Sequence, residues 1–153
     1  MAVATSDRIA EISQDLVNVV TQLCLVSPRG RRRAGDLKEI EFLTLAILQD
    51  HGTMIVGDIQ RLLHVLPAQM SRIIRSLESR PEPFIACRIN PQDKRKIDVV
   101  LTDAGDQALH GYQSARVRRV TELLRDLSEE DQESLVRLLE RVRCLLDSRP
   151  IRS

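Results

Sequence analysis

Apolar residues recur along most of this chain at the three- and four-residue spacing of an amphipathic helix. Over residues 7–26 the positions are Ile9, Ile12, Leu16, Val19, Val20 and Leu23. Ser6 or Asp7 can cap the start of this helix, and Ser27-Pro28 ends it. Asp36 with Glu39 three residues on has the form of a capping box. It opens a second predicted helix with the apolar set Leu37, Ile40, Leu43, Leu45, Ile47 and Leu48, closed by His51-Gly52. Thr53-Met54-Ile55 is short and β-prone, and Ile59, Leu62 and Leu63 mark a short third helix. Pro67 stands at the first position of a fourth helix, where its missing N–H costs nothing. Met70, Ile73, Ile74 and Leu77 form the predicted buried face of that helix, and Pro81-Glu82-Pro83 stops it.

The period then switches from helical to extended. Residues 84–89 read as a strand, residues 90–96 as a polar basic turn, and Ile97 to Leu101 as the returning strand. Thr102 caps a long helix from Asp103 to about Leu127. Ser128 with Asp131 marks the start of a last helix, striped by Leu135, Leu138, Leu139, Val142, Leu145 and Leu146. Two short helices joined by a tight turn and followed by a hairpin is the winged helix-turn-helix order. The expected fold is therefore mainly α with a small β-hairpin (α+β). The apolar stripes at both ends exceed what one small domain can cover, so a second copy of the chain is expected to bury them.

At 153 residues the chain is long enough for one domain, or one domain with an extension. Its only aromatics are Phe42, Phe84 and Tyr112, too few for an RNA binder built on base stacking. The formal net charge is +1, yet residues 28–40 carry +3 and residues 67–97 carry +4. Positive charge is thus concentrated in the middle, where a polyanion could be met. Cys24, Cys87 and Cys144 form no CxxC pair, which suggests reduced, half-buried thiols and a cytoplasmic setting. Neither a signal peptide nor a membrane span is expected, since Leu16 to Val26 is short and interrupted by polar residues. His51, His64 and His110 lack ligand spacing, and no phosphate loop or nucleophile elbow occurs. No enzyme activity, metal or cofactor is expected.

A helix in the major groove reads bases with its N-terminal residues. Ala68 suits a thymine methyl, Gln69 an adenine and Arg72 a guanine, while Ser71 and Arg75 suit phosphates. The competing reading is a surface helix with solvated arginines. At the hairpin tip, Asp93, Lys94, Arg95 and Lys96 suit the minor groove. Arg95 would be the inserted group, and Asp93 would orient it or brace the turn; the alternative is an ordinary solvated turn. The basic loop Arg29 to Arg33 either contacts DNA backbone or is solvated. Cys24 reads more readily as a structural thiol than as a redox sensor.

The run from Asp93 to Gly105 resembles the wing signature of MarR-type transcriptional regulators: Asp-x-Arg in the wing, a strand, then Leu-Thr-x-x-Gly opening the long helix. Ser71 to Glu78 resembles that family's recognition helix, and Pro81-Glu82-Pro83 stands where the family has a short glycine turn. The resemblance spans about residues 7–147 in element order. It implies a homodimer that represses genes by binding double-stranded DNA and is released by a small effector or by oxidation. The effector would lie in the cleft between the dimerisation and DNA-binding regions. Three regions are thereby expected: residues 1–35, a dimerisation helix and basic loop; 36–101, the DNA-binding domain; and 102–153, a linking helix and a dimerisation helix. Ile9, Ile12, Leu16 and Val19 in the first region, and Leu135 to Leu146 in the last, are the dimerisation candidates. A winged-helix module that binds protein and not DNA is the alternative.

Overall fold

The structure is a computed structural model and describes residues 2–25 and 37–148. It divides into two compact units, Met1–Ala34 and Gly35–Ser153. The first contributes one helix, α1 (Ala2–Leu25). It begins at Ala2, upstream of Ser6 and Asp7, because no residue there breaks the helix. Ile9, Ile12, Leu16 and Val19 are all more than half exposed. The basic loop Arg29 to Arg33 and the Asp36 cap lie outside the described residues.

In the second unit the order is α2 (Glu39–His51), β1 (Met54–Ile55), α3 (Val56–Leu63), α4 (Pro67–Glu78), β2 (Ile85–Ile89), β3 (Ile97–Leu101), α5 (Asp103–Leu124) and α6 (Glu129–Asp147). The core consists of Leu37, Leu45, Leu48, Ile59, Met70, Ile73, Leu77, Ile85, Val99 and Leu109. Each fully buried aliphatic side chain contributes about 1.5–3 kcal/mol. The winged helix-turn-helix fold expected from the element order is what forms.

Five details differ from the sequence reading. The capping acid of α2 is Glu41, whose Oε2 accepts from the Lys38 N–H at 2.9 Å; Glu39 faces α5 instead. The buried face of α2 is accordingly Glu41, Thr44, Leu45 and Leu48, with Leu37 buried just before the helix, while Leu43 is exposed. The hairpin gains a third strand: β1 pairs antiparallel with β3, Met54 opposite Val99, giving the order β1-β3-β2. Finally, α5 ends at Leu124, three residues early, and Cys24 and Cys144 are exposed, not half-buried.

The predicted caps of the two last helices are present. Thr102 Oγ1 accepts from the Gly105 N–H at 3.1 Å, and Ser128 Oγ from the Asp131 N–H at 3.1 Å. Each such cap contributes about 1 kcal/mol. No residue of α6 is buried, and its Leu138, Leu139, Val142, Leu145 and Leu146 stay exposed in the single chain; Leu135 is partly covered.

Candidate nucleic-acid interface

Helix α4 is anchored by its apolar face. Leu66 is its N-cap in extended backbone, Pro67 opens the first turn, and Met70, Ile73 and Leu77 are buried. Ile74 is only partly covered. This leaves Ala68, Gln69, Ser71, Arg72 and Arg75 exposed on one element. The Ser71 hydroxyl donates to the Pro67 carbonyl at 3.0 Å, so it must rotate before it can donate elsewhere. Leu66, exposed by 73%, extends the surface at the start of the helix.

The hairpin is braced from its tip inward. Asp93 Oδ1 accepts from the Arg95 backbone N–H at 3.1 Å and from Arg95 Nε at 3.3 Å, and Lys96 Nζ lies 3.7 Å from the other oxygen. The backbone N–H of Arg95, then its guanidinium, then Lys96 hold the Asp93 carboxyl below its ordinary range. Asn90 Oδ1 accepts from the backbone N–H of Gln92 and Asp93, each at 2.9 Å, and Asn90 Nδ2 donates to Asp98 at 2.8 Å. The two expected roles of Asp93, orienting Arg95 and bracing the turn, are thus both filled by one carboxylate. The Arg95 side chain remains 91% exposed, and Lys94 and Lys96 are exposed beside it. Arg88, on the strand opposite Asp98, is a further exposed base that the sequence reading passed over.

Behind this surface lie groups that the sequence reading missed. Glu41, 2% exposed, accepts from Ser76 Oγ at 2.6 Å and from Arg80 Nη2 at 3.0 Å. A carboxylate four residues from both Leu37 and Leu45, within an apolar stripe, was the available signal. Between α2 and α5, Phe42 and Tyr112 stack with ring centroids 4.6 Å apart, and the Arg116 guanidinium lies over both. Glu39 accepts from Tyr112 Oη at 2.7 Å and pairs with Arg116. Burial, then the hydrogen bond to Glu39, pushes the Tyr112 phenol upward. His51 Nδ1 lies 3.1 Å from the Ile47 carbonyl at the end of α2, as expected for a helix C-terminus. Among the described residues, no His, Cys, Asp or Glu side chains group as a metal site, and no helix is long and apolar enough to cross a membrane.

A buried-face helix following a tight turn, with a charged ribbon after it, defines a winged helix-turn-helix protein. Residues 37–97 match the family model described as MarR family. The matched span includes residues 71–78 and the start of the 93–105 run on which the resemblance rests. It is 29% identical over 104 residues to an uncharacterised HTH-type transcriptional regulator, YdgJ, of Bacillus subtilis, covering 68% of this chain and 61% of that one. It is 31% identical over 91 residues to the HTH-type transcriptional repressor MdtR of the same organism, covering 60% and 57% respectively. The chain therefore spans about three-fifths of the length of these relatives. Its fold is similar to that of the YusO protein of Bacillus subtilis, with a TM-score of 0.68, 22% identity, and 90% and 96% of the two chains covered.

Proposed function

We propose that this chain is a sequence-specific, double-stranded-DNA-binding transcriptional regulator, a repressor, that acts in the cytoplasm as a homodimer on a pseudo-palindromic operator. The observation that carries this reading is the pairing of two cationic elements built for presentation. Helix α4 holds its polar residues outward over a buried apolar face, and the β2–β3 turn holds Arg95 in solvent through Asp93. In the assembly, Gln69 and Arg72 read base edges in the major groove, Arg75 meets phosphate, and Arg95 enters the minor groove, flanked by Lys94 and Lys96. Ala68 packs on a thymine methyl, and Ser71 contacts phosphate after rotating away from Pro67.

Dimerisation through the apolar stripes of α1 and α6 places two such surfaces on one duplex, with half-sites about 34–36 Å apart. Release by a small effector or by oxidation belongs to the same proposal and rests on the family resemblance. Selection of duplexes from a random pool by the purified protein, followed by anisotropy titration, tests the reading. The expected result is an inverted repeat bound with an affinity that falls steeply with salt. Arg72→Ala should relax base preference, and Arg95→Ala should weaken binding about tenfold. Retention of no duplex at low salt would overturn the reading and favour a protein-binding winged helix.

A further inference from the structure

We infer that the buried Glu41 carboxylate is a positioning residue that holds the recognition helix and the wing in one fixed relation, so that both engage the same duplex; this rests on the DNA-binding reading above. Glu41 lies on α2 and takes donors from three separate segments: the Lys38 N–H at 2.9 Å, Ser76 Oγ of α4 at 2.6 Å, and Arg80 Nη2 of the segment between α4 and β2 at 3.0 Å. The Arg80 guanidinium in turn stacks over the Phe84 ring, 4.5 Å from its centroid. Phe84 is the last residue before the wing strand. Its N–H donates to the Leu77 carbonyl of α4 at 3.0 Å, and its carbonyl accepts from the Thr102 N–H at 3.2 Å, at the other root of the wing.

The intervening Pro81-Glu82-Pro83 explains why a side chain has this task. Two prolines remove two N–H groups from the middle of the connector, so its amides pin it only at the ends, through Ser79 and Phe84. Its Pro83 carbonyl is held instead by Thr102 Oγ1 at 2.6 Å, and its start is held by Arg80. Stability alone does not call for the Glu41–Arg80 ion pair, because replacing both partners of a buried pair with well-packed apolar side chains is often neutral or stabilising. Hydrogen bonds are directional where apolar packing is not. Any other placement of the connector would leave the buried Glu41 carboxylate without its one charged partner, Arg80. The carboxylate therefore selects one placement of the wing relative to α4.

The test is a set of double-mutant cycles in the full-length protein on a selected duplex, with melting temperature as the check on folding. Arg95→Ala reports wing contact and Arg72→Ala reports recognition-helix contact. In the wild-type background each weakens binding about tenfold. In Glu41→Gln the Arg95→Ala penalty is expected to fall below about threefold while the Arg72→Ala penalty is retained. Arg80→Gln and Ser76→Ala carry the same cycles should Glu41→Gln fail to fold. Unchanged penalties in every background would mean that Glu41 merely stabilises the core, and would overturn the inference. Loss of both penalties together would overturn it as well, since α4 itself would then be displaced. Wild-type protein that holds no duplex would remove the DNA-binding reading, and this inference with it.

Discussion

The Phe84 carbonyl oxygen occupies the place where a side chain on Gly105 would begin: a Cβ built at position 105 would sit 2.0 Å from it and 2.9 Å from Leu101 Cδ1. The first turn of α5 is thereby pressed against the root of the wing. Gly111, on the same helix, has nothing within 4 Å of such a Cβ. Helix propensity alone predicts that alanine stabilises both positions by up to about 1 kcal/mol. The structure predicts opposite signs. Gly105→Ala should cost about 1–3 kcal/mol through the backbone clash, and Gly111→Ala should gain about 0.5–1 kcal/mol. Thermal or urea unfolding of the two variants checks the pair.

The Asp93 brace should be insensitive to pH across the neutral range. Its carboxyl is held below the ordinary value by the Arg95 backbone N–H first, then by the Arg95 side chain and Lys96. A depressed carboxyl contributes its stabilisation fully above the unfolded pKa, about 3.9. That contribution is lost as pH falls through the lower folded value. The Arg95 amide and Nε–H resonances should therefore hold steady from pH 8 to about 5 and move only in stronger acid. Asp93→Asn should shift them at neutral pH and weaken DNA binding a few-fold, by freeing Arg95.

Cys87 should resist alkylation. Burial, then the charge of Glu78 and a hydrogen bond to it, push the thiol up to about 11. Since the thiolate is the nucleophile, labelling by iodoacetamide at pH 8 should be well below that of an ordinary cysteine, as read by mass spectrometry. A raised thiol stabilises the fold at pH values below the unfolded pKa, and that stabilisation is lost as pH rises toward 11. Glu78→Gln should speed labelling by removing the charge that opposes thiolate formation.

The exposed stripe of α6 should carry self-association. Leu138, Leu145 and Leu146 are each more than half exposed in the single chain. Burying each against a second copy would contribute about 1.5–3 kcal/mol. Leu138→Asp combined with Leu145→Asp should shift the protein from dimer to single chain at micromolar concentration in light-scattering chromatography. The winged fold should persist, because neither residue belongs to the core.

Much of this was legible in the chain because local chemistry decides it. Thr102 and Ser128 act as caps wherever the following turn is helical, so the two helix starts were placed to the residue. The return strand Ile97–Leu101 was bounded by its β-branched run and by the charged turn before it. Asp93 was legible as a brace because a two-residue separation brings its carboxylate to the Arg95 N–H. Where the reading went wrong, a distant partner overrode the local pattern. Glu39 had the spacing of a capping acid, but Tyr112 and Arg116 engage it instead, and Glu41 takes the cap. Leu43 had the spacing of a core residue but lies away from the buried face. Met54–Ile55 was legible as a short β-prone segment, but its pairing was not, because its partners Val99 and Asp98 lie 45 and 43 residues away.

The order of elements, their caps, the two cationic elements and the apolar stripes follow from the amino-acid sequence by itself, since spacing and backbone preference act over a few residues. Only the tertiary structure decided that Ser76 and Arg80 meet on Glu41, that Phe84 lies against Gly105, and that β1 joins the wing. Those contacts join residues far apart in the chain. Which of many compatible partners a buried charge or a bare strand edge takes is set by the packing that leaves the fewest buried polar groups without a partner.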